Sequence, residues 1–481
     1  MNGEYLPNYC TDAGFWLAAG QAALAGRLAA APVERRARNV VLFLGDGMST
    51  ATLAAARALL GQRRGLSGEE AELSFERFPY SGLAKTYCVD SQVADSACAA
   101  TACLSGVKTN RGVVGVSAGA KANDCPSLGN TSHHVTSILQ WTQAAGRSAG
   151  LATNTRVTHA TPAGGYAHAD RGWESDGDTP KPCRDIAAQL VLDLPGRDLK
   201  VIMGGGRMNF RHKGVRDEEG EWGARRDTSD LIARWEADKL GRNSTSRYVW
   251  NRKGLLNLDM NNTEYLLGLF ASDHMDYNLE ADREKQPSLA EMTQAAIGIL
   301  RNDPNGYFLF VEGGMIDHAH HSTRPRRALD ETLQLHEAVQ AAVELTDERD
   351  TLLVVTADHS HTMSYSGYAP RGHDILGIAG VSAVDGLPYS TLSYANGPGY
   401  RKPQRDRRRP DLRDDNMGGA EYRFPATVPL RRETHGGDDV AVFARGPWAH
   451  LFSGVLEQSV IPHLLAFASC VGPGATSCGR A

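Results

Sequence analysis

Residues Val40–Ser49 read VVLFLGDGMS. Five successive apolar residues predict a strand buried on both faces, as in the middle of a parallel sheet. Gly45 and Gly47 free the backbone to turn sharply and leave Asp46 at the strand's C-terminal end. Ligands of open α/β sheets bind at that edge. An Asp between glycines is ordinarily a turn former. Three later stretches repeat the arrangement, however: Cys88–Gly106, Tyr307–Ser322 and Leu352–His361 each set Asp, Glu, His or Ser beside or just after an apolar run. Four strand ends converging with hard and borderline ligands point to a multi-metal hydrolytic site.

The chain has 481 residues and no low-complexity linker, which predicts one large α/β domain with insertions. A formal net charge of −5 gives no basic footprint for a nucleic-acid-binding module. The basic run RKPQRDRRRPDLR, Arg401–Arg413, has Asp and Pro interspersed and reads as a solvated loop. None of the eight cysteines forms a CxxC pair, so a zinc ribbon is not expected. Cys470 and Cys478 close a short terminal loop, consistent with a disulfide. Cys98 and Cys103, five apart on a helix, face different directions and are not expected to pair. Asn130, Asn243 and Asn261 begin glycosylation sequons. The N-terminus lacks the apolar core of a signal peptide, and no segment is long enough to span a bilayer. A secreted origin is expected from the cysteines and sequons.

Residues 11–30 predict an amphipathic helix ahead of the first strand, and Ser49–Leu60 a helix after it, with Ser or Thr as N-cap. Helices are predicted around Val135–Ala145, Asp185–Leu194, Pro287–Arg301, Arg326–Leu345 and Gln458–Phe467. Strands are predicted at Ser148–Thr153, Lys200–Met203, Tyr307–Val311, Thr351–Thr356 and Asp439–Ala444. The alternation implies a large, mostly parallel central sheet with helices on both faces. Between about Gly367 and Glu433 the composition turns to Gly, Pro, Tyr and Arg, an insertion at one side of the sheet. Gly204-Gly205-Gly206 reads as a tight turn, because no Lys-Ser/Thr follows to make a P-loop.

Asp95-Ser96 precedes a helix-compatible run, which places the Ser96 hydroxyl near a helix N-terminus, where anions are favoured. No G-x-S-x-G elbow surrounds it, so an α/β-hydrolase triad is not indicated. The stretch VEGGMIDHAHH gives Glu312 at a strand end, then Asp317, His318, His320 and His321. Asp317 and His321 share a helical face at a spacing suited to Zn²⁺. VVTADHSH supplies Asp358, His359 and His361, and His435 can complete a three-ligand set. Carboxylate with imidazole suits Zn²⁺, whereas Asp, Glu and hydroxyl oxygens suit Mg²⁺.

With FLGDGMS, VDSQVADSACAATA, TRVTHATPAGGYAHADRGW, FLFVEGGMIDHAHH, VVTADHSH and ETHGGDDVAVFARG in that order, the chain resembles the animal alkaline phosphatases. The resemblance implies hydrolysis of small phosphate monoesters through a phosphoserine on Ser96. It implies two Zn²⁺ per chain, one on Asp317, His321 and His435 and one on Asp46, Asp358 and His359. One Mg²⁺ would sit on Asp46, Thr161 and Glu312, with His159 reaching it through water. Arg171 would grip two phosphate oxygens, oriented by Asp95, and His361 would lie just behind the zinc ligands. It further implies Cys125–Cys183 and Cys470–Cys478 disulfides and a homodimer in which Tyr368 reaches the partner's site mouth. The insertion at about 367–433 is similar to the family's crown, and the location is outside the cell, with a possible lipid anchor in the precursor. Cys10 and Cys88 both lie outside those bridges and are a candidate pair, the pairing of Cys10, Cys88, Cys98 and Cys103 being otherwise open. Vertebrate relatives carry a calcium site at positions that are Ala271 and Gln286 here, so calcium is not expected. A sulfatase would need a C/S-x-P-x-R signature that Ser96–Ala100 lacks. An inactive binding protein on the same scaffold would have lost a ligand, and none is lost.

Overall fold

A computed structural model describes residues 12–403 and 408–478. Its centre is a ten-stranded sheet. The strands in chain order are Asn39–Gly45 (β1), Tyr80–Lys85 (β2), Ser148–Arg156 (β3), Val201–Gly205 (β4), Ser246–Val249 (β5), Tyr265–Leu269 (β6), Tyr307–Gly313 (β7), Thr351–Ala357 (β8), Val440–Arg445 (β9) and Gly454–Glu457 (β10). Their spatial order is β10-β2-β9-β8-β1-β7-β3-β4-β6-β5. Every neighbouring pair is parallel except the two made by β9, which runs against both β8 and β2.

The apolar runs occupy the middle of this sheet, as their composition predicts. All of β7 and β8 is buried, and all of β1 but Asn39. Burying one such Val, Leu or Phe contributes roughly 1.5–3 kcal/mol, so a register slip that lifts any of them toward solvent is strongly disfavoured. The resulting register aligns Gly45 with both Gly313 and Ala357. Three adjacent chains therefore turn out of the sheet at one level, and Asp46 and Asp358 are the next residues along. Helices Thr50–Arg63, Leu289–Leu300 and Pro325–Leu345 pack together in one layer, and Ser96–Ser105, Ile138–Ala144 and Ile461–Ser469 are associated in another. Helix starts carry the expected caps: Ser49 accepts from Thr52 N at 3.1 Å, and Asp95 accepts from Cys98 N at 3.1 Å.

Among the described residues, 367–433 add no strand to the central sheet. They form the Ile378–Val381/Pro388–Ser390 pair and supply Leu392–Gly397 and Ala426–Pro429 to a three-stranded sheet with Met363–Tyr365. Part of the basic run is neutralised locally: Arg401 pairs with Asp415, Arg409 with Asp385 and Arg413 with Asp411. Residues 404–407 lie outside the described ones.

Four expectations need correction. The stretch Cys88–Gly106 is no strand end; Ser96 opens a helix reached by a loop after β2. The helix Ala13–Ala29 forms, but none of its residues is buried, so it presents no apolar face to this chain's core. Gly204 and Gly205 belong to β4, and only Gly206, at φ +93°, makes the turn. Finally, Cys88 pairs with Cys98, which excludes a Cys10–Cys88 bridge; Cys10 lies outside the described residues. Sequence spacing could not reveal this because Cys88 sits in an irregular loop. Cys125–Cys183 and Cys470–Cys478 are bonded, and Cys103 is free and buried.

Gly47 has φ +68°, and a Cβ there would overlap the His361 ring. Gly47→Ala should add about 1–2 kcal/mol of backbone strain to that overlap. Urea unfolding should show a lower midpoint and turnover should fall; an alanine variant equal to the parent in both would contradict the packing.

Candidate active site

Asp46 is fully buried beyond β1. Its Oδ1 lies 3.4 Å from His359 Nε2, and its Oδ2 accepts from the Thr161 hydroxyl at 3.3 Å. The Gly47 N–H donates to Asp358 Oδ1 at 3.0 Å, which ties two strand-end turns together. Asp358 Oδ2 is left without a hydrogen-bond partner, 3.4 Å from His359 Nε2. Ser96 Oγ stands 3.3 Å from that same nitrogen and 3.5 Å from Asp46 Oδ1. Asp46, Asp358 and His359 thus offer three ligand atoms within 4.8 Å of one another.

Asp317, His321 and His435 form a second group. Asp317 Oδ2 is 3.3 Å from His321 Nε2, Asp317 Oδ1 is 3.2 Å from His435 Nε2, and the two Nε2 atoms are 3.2 Å apart. Backbone carbonyls dictate the tautomers, because a carbonyl can only accept. His321 Nδ1 donates to Glu433 O at 2.5 Å, His435 Nδ1 to Ala94 O at 2.8 Å and His359 Nδ1 to Ser360 O at 3.2 Å. The Nε2 lone pairs of His321 and His435 therefore face each other across 3.2 Å. Two facing lone pairs repel unless a cation lies between them, so the donor set fits a metal.

A third group joins Asp46, Glu312 and His159 within the same 4.8 Å limit. Glu312 Oε2 accepts from Thr153 at 2.5 Å and from Thr155 at 3.2 Å, while its Oε1 and His159 Nδ1 are buried without partners. Oxygen donors predominate here, as a hard cation prefers.

The charges agree with that reading. Burial, then the carboxylates of Asp358, Asp317 and Glu312, push the Asp46 carboxyl well above its ordinary range. Burial raises Glu312 to about 7 against its threonine hydrogen bonds, and raises Asp358 to about 6. Burial would raise Asp317 too, but His321 and His361 hold it well below the usual range. His361 moves the other way, to about 10, because Glu433 and Asp317 outweigh its burial. It sits between Asp317 Oδ1 at 2.7 Å and Glu433 Oε2 at 2.5 Å.

Arg171, 43 % exposed, reaches Asp95 Oδ2 at 3.0 Å. Both line an open cavity of about 420 Å³ together with His321, His435, Arg111 and Arg432. Every residue named from the sequence as a ligand or reacting group thus falls in one neighbourhood. The other two histidines of the HAHH run diverge: His320 lies between Tyr394 Oη and Thr52 Oγ1, both at 2.9 Å, and His318 turns toward His159, ring centres 5.3 Å apart.

Sequence reasoning missed Glu433 and Asn154. Glu433 holds His361 through its carboxylate and His321 through its carbonyl, and accepts from Thr362 N and Oγ1 at 2.7 and 2.6 Å. Its place two residues before His435 was the available signal. Asn154 Oδ1 accepts from Gly314 N and Met315 N at 2.8 and 3.1 Å, fastening the turn that leads to Asp317. Nothing in the sequence around Asn154 marks it.

This fold and site define a metal-dependent hydrolase of the α/β class. The family model for alkaline phosphatase matches residues 37–471, and the chain belongs to that family. It is 48 % identical over 480 residues to the membrane-bound alkaline phosphatase of Bombyx mori, covering 97 % of this chain and 87 % of that one. It is 48 % identical over 457 residues to the tissue-nonspecific isozyme of Gallus gallus, covering 92 % and 87 %. Among solved structures, the alkaline phosphatase of Thermus thermophilus aligns with a TM-score of 0.62 at 24 % identity, covering 90 % of this chain and 92 % of that one. The enzyme of the Antarctic bacterium TAB5 aligns at 0.62 and 20 %, covering 91 % and 99 %, and shares the fold. A variant of the TAB5 enzyme carries Mg in its M3 site. The protein is therefore a phosphoric monoester hydrolase that uses metal cofactors.

Two predictions follow from the geometry. Glu433→Ala should free both His361 and His321 and weaken metal retention about 10- to 100-fold, read by competition with a chelator; retention equal to the parent's would remove Glu433 from the site's support. The second concerns pH. In metal-free protein, Glu312 and Asp358 have native pKa values raised above their unfolded ones, so their protonation contributes stability that is complete below about pH 4 and lost as pH rises through about 6–7. Bound cations favour the ionised carboxylates and reverse that loss. The gap in melting temperature between metal-loaded and stripped protein should widen from pH 4 to pH 8, and a constant gap would refute the linkage.

Proposed function

We propose that Ser96 is the nucleophile of this phosphatase and that the three ligand groups hold two Zn²⁺ and one Mg²⁺. The Zn²⁺ sets are Asp317, His321, His435 and Asp46, Asp358, His359; the Mg²⁺ set is Asp46, Thr161 and Glu312, with His159 behind a water. The observation that carries the reading is the placement of Ser96 Oγ beside His359 Nε2 and Asp46, next to imidazole lone pairs that converge without a proton between them. When bound, the metals supply Lewis acidity that lowers the pKa of a serine hydroxyl or water and stabilises the leaving oxygen.

The chain's own residues supply the rest. Arg171 offers a planar fork to two non-bridging phosphate oxygens, and Asp95 aims it from the N-cap of the helix that Ser96 opens. The helix N-terminus favours negative charge at the Ser96 oxygen. Attack by Ser96 Oγ on phosphorus expels the alcohol and leaves a phosphoserine; hydrolysis of that ester returns Ser96 and releases inorganic phosphate. Because the polar groups converge on the phosphoryl group alone, a broad range of monoesters follows.

Assembly as a homodimer is supported by the helix Ala13–Ala29, where Trp16, Leu17 and Leu28 are 52 %, 70 % and 78 % exposed, and by Tyr368, 99 % exposed at the start of the insertion. This insertion, residues 367–433, would serve as the crown of a single-domain subunit. An extracellular setting is supported by three disulfides and by exposed Asn130, Asn243 and Asn261 at the sequons. Location at the outer cell surface, by a lipid anchor on the precursor or by secretion, belongs to the same proposal. Among the described residues no helix is long and apolar enough to cross a membrane.

Ser96→Ala should abolish phosphoprotein formation with a labelled monoester and lower kcat by several orders of magnitude while the metals stay bound. Label trapped on a different serine, or near-parental turnover, would overturn the assignment.

A further inference from the structure

Residues 94–96 each touch a different part of the site. The Ala94 carbonyl accepts the Nδ1–H of His435 at 2.8 Å, and so leaves Nε2 free for a metal. Asp95 Oδ2 accepts from Arg171 Nη1 and from Gly112 N, both at 3.0 Å. Ser96 carries the hydroxyl. All three lie in the loop closed by Cys88–Cys98, a bridge spanning 10 residues. Cys98 is in the first turn of the Ser96 helix and donates its N–H to Asp95 Oδ1 at 3.1 Å.

Packing holds this loop unevenly: residues 94–97 are buried and Ala97 joins the main core, whereas residues 88–93 bring no large apolar side chain into it. Cys88, Ala94, Cys98 and Ala99 form a small apolar cluster of their own, separate from the main core. Val89 is 55 % exposed, and Asp90 and Gln92 are exposed as well. Hydrogen bonds add further ties, among them Cys88 N to Ser91 O at 3.0 Å, Ser91 Oγ to Val93 O at 2.8 Å, Val89 N to Thr109 O at 2.9 Å and Arg111 N to Asp90 Oδ1 at 2.8 Å. Three of the four members of the cluster's apolar contact are within three residues of Ser96, yet none is larger than cysteine. A covalent link there substitutes for the side-chain bulk that elsewhere fixes a loop.

We propose that Cys88 and Cys98 are positioning residues of the hydrolytic site: their cross-link holds the Ala94 carbonyl against His435 and the Asp95 carboxylate against Arg171. The proposal rests on the reading of His435, Arg171 and Ser96 given above. A disulfide ordinarily acts on global stability through the unfolded chain. This one also sets the tautomer of a metal ligand and the aim of the phosphate clamp, which a purely structural bridge would not.

The test compares two cross-link removals in the full-length metal-loaded enzyme, Cys88→Ala/Cys98→Ala and Cys470→Ala/Cys478→Ala. For the first pair we expect inhibition by inorganic phosphate to weaken about tenfold or more, zinc to pass to a chelator about 10–100 times faster, and KM and kcat to change together. The second pair, whose bridged loop contains none of the proposed ligand or phosphate-binding residues, should match the parent in phosphate inhibition and zinc release even if it melts earlier. Parental phosphate inhibition and zinc release in a folded Cys88/Cys98 variant would overturn the proposal, as would equal changes in both variants. If the alanine pair does not fold, Cys88→Ser/Cys98→Ser, which keeps the side-chain volume, is read in the same assays with the same outcomes. A Ser96→Ala enzyme that still forms phosphoprotein would instead overturn the underlying site reading, whatever the cysteine variants do.

Discussion

Four buried carboxylates, from Asp46, Glu312, Asp317 and Asp358, are gathered beside the imidazole Nε2 atoms of His321, His359 and His435, at the floor of an open cavity. Two like charges 4 Å apart at an effective dielectric of 20 repel by about 4 kcal/mol, so a folded chain cannot hold this set ionised without cations. Most of the surrounding structure can be understood as the means of keeping these groups together against their own repulsion. The sheet register places three turns at one level. The Gly47 N–H ties one turn to Asp358, and Asn154 ties another to the helix that carries Asp317 and His321.

The main chain carries much of that task. His321, His359 and His435 each give Nδ1–H to a backbone carbonyl, so the protonation pattern follows from the fold and not from mobile side chains. His361 does the opposite. Held between Asp317 and Glu433, it keeps its proton and brings one positive charge into the cluster before any metal arrives. A protonated imidazole, His361, and one with its Nε2 free of a proton, His359, thus stand two residues apart.

Much of this was legible in the sequence because apolar runs and chemistry-bearing residues alternate in it. VVLFLGD, FLFVEGG and VVTADHS announce buried strands with Asp, Glu and His at or just beyond their ends, and the structure has those residues there. The ordered motifs made the family plain. What escaped depends on contacts distant in the chain. Glu433 acts on His361 across 72 residues and Asn154 on Gly314 across 160, and neither carries a local pattern. The Cys88–Cys98 bridge escaped because helical periodicity says which way Cys98 points but nothing about a loop cysteine. The helix Ala13–Ala29 was legible as a helix, but apolar spacing alone does not say what covers its apolar residues, and this chain leaves them exposed.

The reversed strand β9 has a consequence for the order in which the enzyme is made. Asp46 and Asp358 follow their parallel strands, whereas His435 precedes Val440–Arg445 and reaches the site because that strand runs backward between β8 and β2. A ribosome must therefore release well over four hundred residues before the last imidazole can swing into place. Until then the growing polypeptide carries Asp46, Asp317 and Asp358 without that imidazole. On the proposed ligand sets, the group of Asp317, His321 and His435 is the last of the three to be complete, and a truncation that spares nine-tenths of the chain removes one of its members.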